Sequence, residues 1–256
     1  MKNQYVGDIG DYGKYALLRA LSCRYSVGVN WYLTPDDGRS DGKFTDYLKR
    51  ETDSFDKSLF KMLKGLLLST DNRILNEKRN VQTIEDGGIL PKTVFFSEEL
   101  SYEKIADREV YRKNWVNRSI DTLEKRDIIF LDPDNGLEVK SVSATSKNGN
   151  KYVTYDEAQQ YYKQAQVALI IYNHRDRSSE EKYVERFLRF YEEAGTQDAF
   201  VYRLMFRKSS VRDYIFITKP EHSTEIYDFL NTFACPERKE YFTVDNLPMR
   251  WLSDDN

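Results

Sequence analysis

Residues 127–136 read Asp-Ile-Ile-Phe-Leu-Asp-Pro-Asp-Asn-Gly, and the character of the chain changes halfway along that string. Asp127–Leu131 (DIIFL) is continuously apolar after its first residue, which marks a strand covered on both faces rather than one lying half in water. Strands of that kind belong to parallel sheets held between layers of helix. Asp132-Pro133-Asp134-Asn135-Gly136 then crowds turn-forming residues at the strand's carboxyl end. In open α/β sheets, ligands bind outside the carboxyl ends of the strands. The same ten residues therefore predict both the layers and the place to look for chemistry.

Working outward, Val27–Leu33 (VGVNWYL) and Val167–Tyr172 (VALIIY) repeat the pattern, and Thr93–Ser97 (TVFFS) is a shorter strand candidate. Helical spacing of apolar residues predicts helices over Asp11–Arg24, Phe44–Glu51, Phe55–Leu68, Asp107–Lys125, Asp156–Gln166, Glu180–Glu193 and Thr224–Phe233. Ala199–Phe206 and Arg212–Thr218 are strands joined by Arg207–Val211, a connection too short for a parallel crossover, so the pair must be antiparallel. This order predicts one α/β domain over residues 1–256. Its expected form is a three-layer, Rossmann-like mixed sheet, mostly parallel, closed by a C-terminal antiparallel hairpin. Asn148-Gly149, flanked by Val139–Thr145 and Lys151–Thr154, predicts a further hairpin inserted at 139–154.

Composition narrows the function classes. With 40% hydrophobic residues the chain can build a core, which excludes wholesale disorder. Its 39 Lys+Arg against 42 Asp+Glu leave a net charge of -3, which excludes a uniformly basic nucleic-acid coat but not a local basic groove. Cys23 and Cys235 are too few for a disulfide framework or a structural zinc site. No apolar run approaches the ~20 residues of a membrane span. The expectation is a soluble, cytoplasmic protein without a membrane partner.

Two polar loops sit at predicted strand ends. One is Thr34–Lys43, with Asp36, Asp37 and Gly38; the other is 132–136, with Asp132, Asp134 and Asn135, and Glu138 just beyond. His174 follows Val167–Tyr172 at a third strand end, where it could serve as a base or a ligand. Asp8, Asp11 and Lys14 precede or open the first helix. Either aspartate can cap it, while Gly7, Gly10 and Gly13 leave backbone amides open to a ligand. Arg203, Arg207, Lys208 and Arg212 cluster around the terminal hairpin and could grip phosphates.

The order of these features resembles the class I S-adenosylmethionine-dependent methyltransferases, especially the bacterial ribosomal-RNA adenine-N6 type. Gly10-Asp11-Tyr12-Gly13-Lys14 stands where that family's Gly-Asn-Phe/His-Ala-Asp-x-x-Lys-His segment opens the first helix. Thr34-Pro35-Asp36-Asp37-Gly38 takes the place of its Asp-x-x-Ala-Gly-x-Gly loop, and Asp132-Pro133-Asp134-Asn135 that of its catalytic Asp-Pro-Pro-Tyr. The terminal hairpin is also a feature of the methyltransferase sheet. The resemblance spans roughly residues 5–218. It implies S-adenosylmethionine held by Asp11, Lys14, Asp36, Asp37 and Gly38, and methyl transfer to a nucleic-acid base amine at Asp132, Asp134 and Asn135, with His174 at its own strand end as a further catalytic candidate.

This sequence departs from the family in having Asp-Asp-Gly for Gly-x-Gly, Asp134 for the second proline and Asn135 for the aromatic residue. Those changes add carboxylates where a hard cation would want them. The alternative is then a Mg²⁺-dependent nuclease or phosphoesterase with Asp132 and Asp134 as ligands, joined by Glu138 and by Asp36 or Asp37. A third class is a binding module that keeps the fold without catalysis. Under either enzymatic reading Asp132→Ala is expected to abolish activity with little loss of stability.

Overall fold

The computed structural model describes residues 1–39, 41–50, 54–193 and 199–246. Helix α1, Ile9–Ser22, starts where Asp8 accepts hydrogen bonds from the Gly10 and Asp11 amides. This side-chain cap satisfies donors that the first helical turn leaves unpaired. Strand β1, Val27–Asn30, comes next. Then come α2 (Lys57–Leu67), α3 (Val81–Asp86), β2 (Thr93–Phe96), α4 (Arg108–Leu123) and β3 (Ile128–Leu131). Two-residue strands β4 (Gly136–Leu137) and β5 (Tyr152–Val153) precede α5 (Tyr155–Gln164) and β6 (Ala168–His174). The described chain closes with α6 (Glu180–Glu193), β7 (Phe200–Phe206), β8 (Arg212–Thr218), α7 (Ser223–Phe233) and β9 (Phe242–Asn246).

The main sheet has the order β2-β1-β3-β6-β8-β7-β9. Strands β2, β1, β3 and β6 are parallel, whereas β8 runs antiparallel to both β6 and β7, and β9 runs antiparallel to β7. Each central strand is buried on both faces because alternate side chains enter different cores. Ile128, Phe130 and Ile170 join the cluster under α1, α2, α3 and α7. Ile129, Leu131, Leu169 and Ile171 join the one under α4, α5 and α6. That is the three-layer α/β arrangement expected from the run at 128–131.

Some local expectations fail. Residues 139–154 form no antiparallel hairpin: β4 and β5 pair parallel, with Gly136 opposite Tyr152 and Leu137 opposite Val153. Asn148-Gly149 leads instead into a single 3₁₀ turn, Gly149–Lys151. Of the helix expected over Phe44–Glu51, only a 3₁₀ turn at Asp46–Lys49 forms, and Glu51 lies outside the described residues. Strand β9 had no sequence signal, because Phe242–Asn246 (FTVDN) is too short and polar to declare itself. Among the described residues no helix is long and apolar enough to cross a membrane.

Candidate functional site

Strands β1 and β3 end in register, with Asn30 beside Leu131, and β6 passes Leu131 at Ile171 and runs on to His174 at the same edge. The loops that leave these strands therefore emerge along one edge of the sheet. The chain leaves β1 toward β2 on one side, and β3 flanks it on the other. This reversal opens a crevice between diverging connections. Helix α1 runs back into β1, so its amino end lies at the same edge. Residues from all these sources line one cleft of about 500 Å³: Asp8, Gly10, Asp11 and Lys14 at α1, Asp37, Arg39, Asp41 and Phe44 after β1, and Asp132–Asn135 after β3. His174 from β6 and Ser210 and Arg212 at the start of β8 complete it, with Met1, Lys2, Tyr5, Lys151 and Tyr172.

Charge in the floor is paired. Lys14 Nζ lies 2.5 Å from Asp132 Oδ2 and 2.8 Å from Asp11 Oδ1. The rings of Tyr15, Trp31 and Tyr172 surround this ammonium with centroids 5.7–5.8 Å away. Burial pushes the Asp132 carboxyl above the usual carboxylate range, and the attraction of Lys14 offsets only part of this. Lys14 itself is held charged: burial opposes its charge, but Asp11 and Asp132 outweigh burial. No hydrogen bond engages Asp132 Oδ1 among the described residues.

A second ionic group adjoins it. The Met1 ammonium donates to the carbonyls of Asp132 at 2.7 Å and Tyr32 at 3.2 Å, and lies 2.8 Å from Asp134 Oδ1. Asp134 also meets Lys2, 3.7 Å away. Burial works against the Asp134 anion, yet these two cations bring its carboxyl below the ordinary value. Tyr32 takes φ +43, in the left-handed region that few aromatic residues adopt, and its amide donates to Asn30 Oδ1. The backbone just beyond β1 thus holds an unusual conformation in the segment that carries one of the ammonium acceptors.

The remaining candidates sort themselves by contact. His174 lines the cleft, and burial followed by the nearby Arg212 cation lowers its pKa, so the ring is neutral near pH 7. Asn135 anchors the loop, its amide donating to the Lys151 carbonyl and its own carbonyl accepting from the His174 amide. Asp37 lines the cleft but is bound by Lys2 at 2.5 Å, which holds its carboxyl down at about 2. Asp36 and Gly38 are not in the wall. Asp36 accepts from the Gln4 amide, and the Gly38 amide donates to the Gln4 side chain. Their contacts tie the loop to the residues that precede α1. Glu138 accepts from the Tyr155 amide at the start of α5 and is not part of the cleft wall.

The four-residue basic cluster divides. Arg203 is buried, paired with Glu180 and with Asp245 at 2.5 Å each, and cannot grip a phosphate. Arg207 and Lys208 are exposed on the β7–β8 turn. Arg212 reaches into the cleft floor 3.6 Å from Asp8. The glycines of α1 turn out to make room. A Cβ on Gly10 would lie 2.3 Å from the Arg212 guanidinium, and one on Gly13 2.7 Å from the Phe206 ring. Gly10 does not offer a free amide, since Asp8 already accepts from it.

A hard cation does not fit this donor set. Among the described residues no three His, Cys, Asp or Glu side chains converge on a point, and Asp132 and Asp134 each face an ammonium. Two backbone carbonyls and a carboxylate instead hold the Met1 ammonium, a donor set of the kind that a ligand's α-ammonium would need. Met1, Lys2, Tyr5, Phe44 and Tyr172 are lining residues that sequence reasoning missed. Met1, Lys2 and Tyr5 precede α1, and the arrival of Phe44 and Tyr172 at the cleft depends on tertiary placement.

No family model and no curated protein matches the chain. Among solved structures it is similar to a Legionella pneumophila protein described by the family model DUF519, with 12% identity and a TM-score of 0.44. That alignment covers 94% of this chain and 97% of the other, a likeness too distant to carry a functional argument.

Proposed function

We propose that this protein is a methyltransferase-like enzyme that uses S-adenosylmethionine to modify a base amine in nucleic acid. The observation that carries the reading is the α-ammonium site at the carboxyl ends of β1 and β3, built from the Tyr32 and Asp132 carbonyls and Asp134. The antiparallel insertion of β8 between β6 and β7 supports it, as the terminal hairpin expected of a methyltransferase sheet. When bound, S-adenosylmethionine supplies a methyl group on a positively charged sulfur. Tyr32, Asp132 and Asp134 would hold the ligand's ammonium through those acceptors, in place of the Met1 ammonium. Asp132 has a second task. Lys14 fixes one of its oxygens, leaving Oδ1 to accept a hydrogen bond from the target amine and orient it. Neutral His174, on the same wall, is the group available to take up the proton released. A cytoplasmic setting is part of the same proposal, and the unpaired Cys23 and Cys235 are compatible with it.

The test is transfer of labelled methyl groups from S-adenosylmethionine to single-stranded and duplex oligonucleotides. Incorporation that survives chelation of divalent cations and falls about 10²-fold or more in Asp132→Asn supports the reading. No incorporation into either substrate, or equal rates for both proteins, overturns it.

A further inference from the structure

Phe44 is 64% exposed, more than any other large hydrophobic residue among those described. Its backbone is nevertheless fixed, because the Phe44 carbonyl accepts from the Ile9 amide at 3.0 Å where α1 begins. Gly42, two residues earlier, is buried, at a spot where a Cβ would come within 2.7 Å of the Gln4 carbonyl and the Tyr5 ring. The loop is thus anchored while its ring is left to solvent at the cleft wall, beside a lining that includes Tyr5, His174 and Ser210.

The charge around this ring differs from that in the floor. The buried carboxylates Asp8, Asp11, Asp132 and Asp134 each face a cation, as does Asp37. Among the described residues the outward cations are unpaired or only loosely paired: Arg39 and Lys43 on the Phe44 loop, and Arg207 and Lys208 on the turn that contributes Ser210, interspersed with the exposed carboxylates Asp36, Asp41 and Asp46. An exposed aromatic ring among exposed cations is the combination that binds single strands, since any base can stack on the ring while cations track the phosphates.

We infer that Phe44 is a stacking platform for one unpaired base of a single-stranded nucleic acid, whose backbone runs along Arg39, Lys43, Arg207 and Lys208. The inference rests on the nucleic-acid half of the proposed function and is independent of methyl transfer. A free nucleotide would use the ring but not the spread of cations, so a strand is the occupant.

The experiment is a fluorescence-anisotropy titration at low salt with an end-labelled, mixed-sequence oligonucleotide of about 12 residues, as DNA and as RNA. Wild type is compared with Phe44→Ala and Phe44→Trp, and AMP serves as competitor. Phe44→Ala should bind about tenfold more weakly, with unchanged thermal unfolding because the ring is exposed. Phe44→Trp should retain affinity, and its added indole emission should be quenched as a base stacks. Wild-type affinity in Phe44→Ala, or an indole unmoved by the oligonucleotide, overturns the role of Phe44 and leaves the nucleic-acid reading standing. Competition by AMP as strong as by unlabelled oligonucleotide overturns the choice of a strand. Failure of wild type to bind either oligonucleotide overturns this inference and the nucleic-acid half of the function together, while cofactor binding is judged by its own titration.

Discussion

Lys14 is buried between Asp11 and Asp132, and this contact changes what a mutation at Asp132 means. From sequence alone, Asp132→Ala is expected to silence the site and spare the fold. In the structure, the substitution removes half of the charge that compensates a buried ammonium, and breaking a buried pair costs about 3–5 kcal/mol. Urea unfolding should register a loss in that range for Asp132→Ala and a smaller one for Asp132→Asn, which keeps an acceptor for Lys14. For this reason the activity comparison rests on the Asn variant. The strand-end rule made Asp132, Asp134, Asn135 and His174 legible, because each closely succeeds or ends a strand whose apolar run is unmistakable. Lys14 and Asp11 were legible from their place at the start of α1. Lys2 and Met1 were not, since nothing local records that residues before α1 fold back to meet Asp37 and Asp134.

At the scale of elements, the segment between β4 and β5 shows how a buried charge overrides a turn signal. Asn148-Gly149 favours a tight hairpin, but Arg112 on α4 draws the chain elsewhere. Its guanidinium donates to the carbonyls of Ala144, Gly149 and Tyr152, to Tyr102 Oη and to both oxygens of Glu157. Gly136 allows the entry to this excursion with φ +106 and leaves room for the Asn173 side chain, which accepts from the Leu137 amide. The parallel β4–β5 pairing that results carries Lys151 to the cleft and backs the loop holding Asp134 and Asn135. Arg112→Met should strand Glu157 in the interior and cost about 3–5 kcal/mol. Hydrogen exchange would locate the damage, with amides of residues 135–155 losing protection ahead of those in β1 and β3. The central strands were readable because burial on both faces leaves a continuous apolar run. The excursion was not, because its cause lies on a separate helix, distant in sequence.

For the whole molecule, two cores of opposite facing clamp a sheet whose parallel half ends along one edge, and the cleft is the consequence. The rigid layers fix the carbonyls of Tyr32 and Asp132, while the connections supply the charges. The net charge of -3 is a sum over the whole chain and says nothing of this division, in which floor carboxylates are paired with cations of their own. Calorimetric titration of the protein with S-adenosylmethionine, with and without Mg²⁺, tests the central claim most directly. Saturable binding of one equivalent per chain is expected, unaffected by Mg²⁺ and weakened about tenfold or more in Asp134→Ala, which removes the charged acceptor of the ammonium. Absence of heat from S-adenosylmethionine, or heat only from Mg²⁺ and lost in the same variant, would contradict it.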